Sequence, residues 1–539
     1  MIGASKAWRA TVATIGSRGR VALGLAVIVA AAVALRAWRL GERSLWFDEA
    51  FTWRLAGFPC AEIIERTARD NNPPLYYLLL KLWVACFGDS AVTMRLPSVL
   101  AGAASCVGTY LLVVEAFSST RAMEPSRRQW MGLFAAALVA VTALQVRWGW
   151  EARMYAVGAA LSAFSSWLLL RALHAPSGAE RKGDDATAEH PPPPVAPRNA
   201  WRSWLLYFGT ALAFAYTHSY ALFSLAAQGI FTAAYLLAKS RWRQGALLAE
   251  RRFRLALLSF AMIGAGWLPW LPVVLRQKAQ VERAYWTDPL TRWSVPTLSH
   301  QIFADPENRA ANQRDATVAA AACALVVLSL LWRPREGDWY LLVSTLVPLT
   351  LAVIVSASGR NILSVGCFIF SQLFLLASAA RLVAKIHAWP QRTIVAAGVL
   401  TGLLLLDDDY ARRIDFGNQS GLRAAATHIT ASRRVGEPVV VSSPWFYLPI
   451  RYHLGRDVDC RLLGSGLELA HYQGTAALTE GDFISGDELA ELASERLWVV
   501  GALHDRPARW QKESEAAFYE GYGIPGSIVV VEYRTEADY

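Results

Sequence analysis

Charged residues are scarce in this sequence. Asp, Glu, Lys and Arg make up only 18% of its 539 residues, and 54% are hydrophobic, whereas about a quarter of a soluble protein is usually charged. The six cysteines are scattered, which excludes a small disulfide scaffold, and no Cys/His spacing suits a metal site. A Gly-rich phosphate loop and a Ser-His-Asp arrangement typical of hydrolases are also lacking. These absences and the apolar excess predict an integral membrane protein.

Long apolar runs occupy most of the first 406 residues. A helix that spans a membrane needs roughly 20 such residues. The run 73–87 is only 15 residues long and contains Lys81, so it is too short. The candidate spans are 21–37, 95–117, 130–146, 152–173, 201–217, 219–238, 255–275, 316–332, 339–356, 361–380 and 391–406.

The net charge of +10 comes from basic clusters beside these runs, which is typical of membrane orientation signals and not of nucleic-acid binding. If 73–87 crossed the membrane, every later basic loop would lie outside. We therefore predict that 73–87 lies along the outer interface, and that eleven spans join an inside N-terminus to an outside C-terminus. A cleaved signal peptide is the alternative for the first run. The basic regions are the chain start, 121–128, 171–202, 239–254, 333–335 and 381–392.

The predicted fold class is a polytopic all-α membrane protein with interfacial helices and a C-terminal extracytoplasmic α/β domain. Residues 1–406 form the transmembrane domain, in which 38–94 is an extracytoplasmic loop and the Pro-rich segment 175–200 is a disordered cytoplasmic loop. Residues 407–539 form the soluble domain. Its expected strands are 437–441, 497–500 and 527–533, and its expected helices are 419–433, 486–495 and 508–520.

The first outer loop contains two adjacent acids, Asp48 and Glu49, within the aromatic sequence WFDEA. Acidic residues are costly near a membrane, so a functional role is the first hypothesis for them. An aromatic surrounding could hold one acid near a substrate hydroxyl as a general base. Alternatively, the acids stabilise the N-terminus of an interfacial helix through its dipole. Composition alone leaves both interpretations open.

Three further outer turns carry polar residues. Glu151 and Arg153 begin a span, with a surface carboxylate and a snorkelling Arg as the simpler interpretation. His218 lies between two spans, where it is either a ligand-binding or an ordinary interfacial residue. Arg360 is suited to binding a phosphate, because its guanidinium donates paired hydrogen bonds. Nucleotide donors are normally absent outside the cytoplasm, so a lipid phosphate is the expected leaving group.

The order of four motifs resembles the N-terminal half of the C-type (GT-C) glycosyltransferases, and most of all the branch of the protein O-mannosyltransferases and the lipid A aminoarabinose transferase. The motifs are WFDEA at 46–50, NNPPLYY at 71–77, RLPS at 95–98 and EARMY at 151–155. The resemblance implies a multispan enzyme of the bacterial inner membrane that uses a polyprenyl-phosphate-linked sugar, with interfacial helices in its first outer loop.

The resemblance also implies roles for single residues. Asp48 matches the catalytic base, with Glu49 beside it, and Arg360 resembles an Arg that binds the donor phosphate. Asp48 would take the proton of the acceptor hydroxyl as it attacks, with inversion at the anomeric carbon. The residues expected to bind donor phosphate or sugar are Arg360, Glu151, Arg153, Tyr155, His218, Tyr220, Asn72 and Tyr76. Trp286 and Trp293 either stack on a sugar or anchor the interface.

The predicted function is hexosyl or pentosyl transfer from a lipid-linked donor to a hydroxyl of a glycan, lipid or protein in the periplasm. Membrane lipids are expected partners, and nucleic acid is not. No cofactor is expected, although two adjacent acids can also hold a divalent ion. The alternatives are a transporter or flippase of lipid-linked saccharides, against which the acids at one face argue, and a scaffold whose C-terminal domain binds a partner.

Overall fold

The fold is taken from a computed structural model. It describes residues 2–119, 123–175, 200–240, 247–248, 250–304, 306, 312–413, 421–466, 469–503, 509–520 and 526–535. The predicted disordered loop at 175–200 therefore lies, apart from its two end residues, outside the described residues.

As far as Arg413, the described residues form helices and the loops that join them. Helix α5 begins after Ser90, whose hydroxyl accepts a hydrogen bond from the backbone N–H of Thr93 at 3.2 Å and caps the helix. The helices are α1 Ile2–Ala37, α2 Phe47–Ala56, α3 Cys60–Arg69, α4 Leu75–Phe87, α5 Ala91–Ala116, α6 Pro125–Val141, α7 Ala143–Arg147, α8 Tyr155–Leu173, α9 Ala200–Ala215, α10 Ala221–Lys239, α11 Arg251–Trp267, α12 Leu271–Arg283, α13 Ser294–Gln301, α14 Gln313–Ser329, α15 Glu336–Ser358, α16 Ile369–Ala384 and α17 Trp389–Arg413.

Eight helical segments in the described part of the chain are long and apolar enough to cross a membrane. Every predicted span overlaps a helix, but three of these helices, α6, α9 and α14, have only 16 or 17 residues and are not part of a qualifying segment. The number eleven therefore stays a prediction. The qualifying segments are Arg18–Ala37, Ala91–Ala116, Tyr155–Leu173, Ala221–Lys239, Arg251–Arg283, Glu336–Ser358, Val365–Ala384 and Trp389–Asp409.

The run 73–87 forms α4, a helix of 13 residues. It is not among the eight segments long enough to cross a membrane. One face packs inward through Tyr76, Tyr77 and Leu80, and the other exposes Leu82 and Phe87. A short helix with one buried and one exposed apolar face is what an interfacial position requires.

The C-terminal part is a six-stranded mixed sheet in the order β3-β2-β1-β4-β6-β5. The first four strands in this order are parallel, and β6 runs antiparallel to both β4 and β5. The run VVV of β1 is buried on both faces, as expected for a central parallel strand. The elements are α18 Gly421–Ser432, β1 Val439–Val441, α19 Pro444–Leu454, β2 Cys460–Leu463, β3 Phe483–Ile484, α20 Gly486–Glu491, β4 Arg496–Val500, β5 Trp510–Glu520 and β6 Gly526–Thr535.

The prediction of a helix at 508–520 is wrong. This segment forms β5, which pairs along its length with β6 from Trp510 opposite Thr535 to Glu520 opposite Gly526. Its Gln, Lys, Glu and Ala residues favour a helix in isolation. The long antiparallel pairing with the Val-rich β6 overrides that local preference.

Candidate active site

Four loops meet at one end of the helical domain. The backbone N–H of Ala152 donates to Glu49 at 2.9 Å, which joins the loop before α8 to α2. The Ser219 hydroxyl donates to the Asn71 carbonyl at 3.3 Å, which joins the turn after α9 to the loop before α4. The Tyr220 hydroxyl donates to the carbonyl of Ile362, in the turn after α15. The sequence motifs thus form one continuous region.

Asp48 and Arg153 lie at the centre of this region. Nη2 of Arg153 is 3.6 Å from Oδ2 of Asp48, and the Asp48 side chain is 28% exposed whereas that of Arg153 is buried. Nη1 of Arg153 donates to the Tyr77 hydroxyl at 3.2 Å and to the Thr52 hydroxyl at 3.4 Å. Arg153 therefore connects α2, α4 and the loop before α8. Asp48 is open to solvent and lies in the first turn of α2, where the helix dipole stabilises its carboxylate.

Glu49 has a different environment from its neighbour. It is fully buried, and Arg95 donates to both of its carboxylate oxygens, at 2.7 and 2.5 Å. Arg95 also donates to three backbone carbonyls of the turn before α2, at 2.7, 3.0 and 2.8 Å. Both charges are thus satisfied within the protein. This geometry gives Glu49 a role in holding α2 and leaves Asp48 as the accessible acid.

Glu151 is also fully buried and forms an ion pair with Arg147, at 3.2 Å between Oε2 and Nη1. The Arg147 guanidinium lies over the rings of three tryptophans, Trp46, Trp148 and Trp150, at 5.9, 4.5 and 5.0 Å from their centroids. Burial raises the pKa of the Glu151 carboxyl, and the charge of Arg147 opposes this shift. The sequence did not single out Arg147, although its spacing of four residues from Glu151 was a signal.

Asp70 is a further acid of the site that the sequence interpretation missed. It follows α3 directly, is 8% exposed, and accepts a hydrogen bond from Asn72 Nδ2 at 3.4 Å. Burial raises the pKa of its carboxyl, the charge of Arg153 lowers it, and the charge of Asp48 raises it further. Its position immediately before the NNPPLYY motif was the available signal. Asn72 thus contacts a site carboxylate.

Tyr155, His218 and Tyr220 form a row of rings beside these charges. The ring centroid of Tyr155 lies 4.3 Å from that of Trp148 and 5.6 Å from that of His218, which is 5.8 Å from Tyr220. Nδ1 of His218 accepts the backbone N–H of Tyr220 at 3.1 Å. Burial, and then the charge of Arg153, lower the pKa of His218 to about 3. His218 is therefore neutral and supplies no positive charge for a phosphate.

Arg360 lies in the turn after α15 and is exposed. Its Nη2 donates to the carbonyls of Tyr285 and Thr287, at 2.6 and 3.3 Å. Asn361 Nδ2 donates to the carbonyl of Asp288 at 2.7 Å. The two residues hold the loop after α12 against the turn, so Arg360 has a structural contact in addition to any ligand.

The loop held by Arg360 is in electrostatic contact with the acids. The pKa of Tyr285 is raised, first by burial, and the charges of Asp70 and Asp48 also raise it. Trp286 is 41% exposed and Trp293 lies further along the same loop, so neither is enclosed in the site. The remaining candidate, Tyr76, is buried with its ring 5.9 Å from that of Tyr77.

Comparison with solved structures identifies the fold. ArnT from Cupriavidus metallidurans bound to undecaprenyl phosphate superposes with a TM-score of 0.57 at 14% identity, over 95% of this chain and 98% of ArnT. ArnT in the apo state gives 0.56 at 13% identity, over 96% and 98%. The archaeal oligosaccharyltransferase AglB from Archaeoglobus fulgidus, in complex with an inhibitory peptide and a dolichol-phosphate, gives 0.50 at 12% identity, over 89% and 69%.

No protein-family model matches the sequence, and no curated protein matches it. The structural likeness covers nearly the whole chain, including the C-terminal sheet domain. The chain is a multi-pass membrane protein with the fold of the GT-C glycosyltransferases, which confirms the resemblance carried by its loop motifs.

Proposed function

We propose that this protein transfers a sugar from a polyprenyl-phosphate donor to an acceptor hydroxyl at the extracytoplasmic face, with Asp48 as the general base. The observation that carries the proposal is the contrast between two adjacent acids. Glu49 is buried and bound at both oxygens by Arg95, whereas Asp48 is partly exposed beside Arg153. A base must reach the proton that it removes, and only Asp48 of this pair has that access.

Solved structures of similar fold support the class of donor. One is ArnT bound to undecaprenyl phosphate, and another is AglB with a dolichol-phosphate. For this chain we infer the same type of lipid phosphate. For the sugar and for the acceptor, which is a protein, a lipid or a glycan, we propose only the chemical class.

The chemistry requires one base. A phosphate is a good leaving group, so no general acid is needed if positive charge lies near it. We assign this positive charge to Arg153 and Arg360, which would neutralise the departing phosphate. Asp48 accepts the hydroxyl proton while the oxygen attacks the anomeric carbon from the face opposite the phosphate, and the configuration inverts. Glu49 positions α2, and Glu151 with Arg147 supports the second loop.

The basic loops predict how the protein is oriented in the membrane. We propose that the N-terminus is inside and that the site and the sheet domain are outside, at the bacterial inner membrane. A transporter or flippase gains no support, since the described acids of the site gather at one end of the helical domain and not along a path through it.

The test is sugar transfer by the purified protein with a panel of polyprenyl-phosphate sugars, chosen after mass spectrometry of envelope glycans with and without the gene. Asp48→Asn is expected to lower transfer by roughly 10²- to 10⁴-fold while binding undecaprenyl phosphate like the wild type. Glu65→Gln, an exposed acid on α3, is the matched control. Wild-type turnover by Asp48→Asn would refute the assignment. The same assay with a chelator measures any requirement for a divalent ion.

A further inference from the structure

The residue before Asp48 packs directly on the C-terminal domain. Phe47 is the first residue of α2 and is 5% exposed. Its ring lies edge-on to that of Trp445 in α19, with centroids 4.7 Å apart and planes at 63°. On Gly474 a Cβ atom would lie 3.1 Å from Cζ and 3.3 Å from Cε2 of Phe47. A side chain at Gly474 would therefore meet the Phe47 ring closely enough to require a shift of that ring.

Gly474 is needed there for a second reason. Its φ is +84°, in the left-handed region, between two short 3₁₀ helices at His471–Gln473 and Thr475–Ala477. Residues with a side chain rarely adopt this conformation. The close approach to Phe47 and the backbone conformation can be separated experimentally, because Gly455 also has a positive φ, +91°, with no atom within 4 Å of its Cβ position.

The other end of α2 is held by the same domain. Arg54, in the last turn of α2, lies 3.3 Å from Oδ2 of Asp482, which is buried. The Oδ1 atom of Asp482 accepts hydrogen bonds from Tyr447 at 2.8 Å and from Arg451 at 2.7 Å, both in α19. The helix that carries Asp48 is thus fixed at its start and its end by one region of the sheet domain.

The partner of Asp48 also contacts elements other than α2. Besides Thr52 in α2, Arg153 donates to Tyr77 in α4, and its carbonyl accepts from Ser98 in α5 at 3.3 Å. The 3.6 Å separation of Asp48 and Arg153 therefore depends on how α2 is set against α4 and α5, and the C-terminal domain contributes to this together with the Glu49–Arg95 pair. A displacement of a reacting group by about 1 Å can lower a rate by 10²-fold.

We propose that Phe47, Trp445 and Gly474 are positioning residues, through which the C-terminal domain sets the direction of the Asp48 carboxylate. This inference rests on the proposed function. It assigns the C-terminal domain a part in catalysis without any contact of these three residues with the substrate. A side chain at Gly474 pushes the Phe47 ring and turns the start of α2, so the base moves while the donor phosphate site near Arg360 does not.

The experiment compares Gly474→Ala with Gly455→Ala. With φ 91° and ψ 170°, Gly455 has a backbone conformation that strains a side-chain residue more than that of Gly474, but its Cβ would meet no neighbouring atom. With the donor found active for the wild type, Gly474→Ala is expected to lower kcat by roughly tenfold to a hundredfold, with unchanged donor KM and unchanged affinity for undecaprenyl phosphate. Gly455→Ala is expected to keep the wild-type kcat. Melting temperatures of both variants in detergent report their folding.

A second substitution that restores activity would identify the contact between position 474 and Phe47 as the cause of the loss. Phe47→Leu shortens the ring that a Cβ at Gly474 would meet, so adding it to Gly474→Ala is expected to restore part of kcat. Trp445→Phe is expected to retain more activity than Trp445→Ala. Equal kcat for Gly474→Ala and Gly455→Ala, or no rescue by Phe47→Leu, would overturn the inference. A wild type inactive on every donor would instead overturn the proposed function, so the two failures are distinguishable.

Discussion

Arg153 reaches Asp48 from a different part of the chain, with Nη2 3.6 Å from Oδ2, and at the same time donates to Tyr77 at 3.2 Å. One guanidinium thus fixes the place of the acid against α4. The planar fork of Arg donors has a fixed geometry for such a bridge, whereas the compact ammonium of Lys does not.

We therefore expect Arg153→Lys to lower kcat by roughly tenfold or more, because the compact Lys ammonium lacks the rigid fork of donors with which Arg153 joins α2 and α4. Kinetics of sugar transfer with the purified variant measure the effect. Arg171→Lys, at the other end of α8, is the control and should behave like the wild type. Full activity of Arg153→Lys would show that the link between the helices is not needed.

Asp70 provides a second negative charge that acts on Arg153. We expect Asp70→Asn to lower kcat by less than Asp48→Asn does. The raised pKa of Asp70 means that its charge is lost early as the pH falls, so removing the carboxyl should flatten the acid limb of the pH profile. An acid limb identical to that of the wild type would exclude Asp70 from the electrostatics of the reaction.

The buried Glu49–Arg95 ion pair predicts that removing the charge of one partner lowers the stability of the protein. Glu49→Gln leaves Arg95 buried without its full counter-charge, which should lower the free energy of unfolding by about 3–5 kcal/mol. Denaturation in detergent measures this change. Glu42→Gln removes the carboxylate of an exposed pair with Arg39 and should change stability by less than about 1 kcal/mol. Equal stability of the two variants would contradict the structural role of Glu49.

Arg360→Ala should weaken the binding of undecaprenyl phosphate by roughly tenfold, the effect of one lost hydrogen bond to a charged group. Equilibrium binding to the labelled lipid measures it. Arg292→Ala removes an exposed cation from the neighbouring loop, where its guanidinium lies over Trp293, and serves as the control. If the two variants bind the lipid equally well, Arg360 is only the clamp of the loop that it contacts.

His174 lies between two acids at the opposite end of the helices. Nδ1 is 3.0 Å from Oε1 of Glu115, and Nε2 is 2.5 Å from Oε1 of Glu336. Burial lowers the pKa of His174, but the hydrogen bonds to the two acids outweigh it and the net pKa is raised. A histidine whose pKa is raised on folding stabilises the fold when it is protonated. This stabilisation is complete below the unfolded pKa of about 6.5, and it is lost as the pH rises through the folded pKa.

The melting temperature should therefore fall as the pH rises above about 6.5. His174→Gln should remove this pH dependence, since its amide does not titrate. His387→Gln, which replaces a histidine outside the cluster, should keep it. A wild-type melting temperature that stays constant through this pH range would rule out the charged His174.

The sequence predicted the elements whose signals are local. The apolar runs gave the helices, and basic loops with the short length of 73–87 identified α4 as interfacial. The Val-rich segments of β1, β4 and β6 were also found. The missed elements are the helix α19 and three strands. The strands depend on distant pairing: β2 and β3 are 4 and 2 residues long, and β5 has a helical composition. Local preference could not reveal their partners.

The site was predicted in part for the same reason. Asp48 stood out by its motif and its position after a span. The difference between Asp48 and Glu49 arises only from Arg95, which reaches back from α5 to one of the two acids. The place of Phe47 against Gly474 likewise depends on a contact across the two parts of the chain, which no local pattern contains.

The hydrogen bond from Tyr220 to Ile362 ties an early turn to one made late in synthesis. A ribosome delivers the chain from its N-terminus, so the loop that carries Asp48 is made long before residues 359–363 exist. A nascent chain that ends with α15 has Asp48 but lacks the turn that completes its surroundings. The enzyme that we propose therefore cannot complete its site until the chain has been made at least as far as this turn.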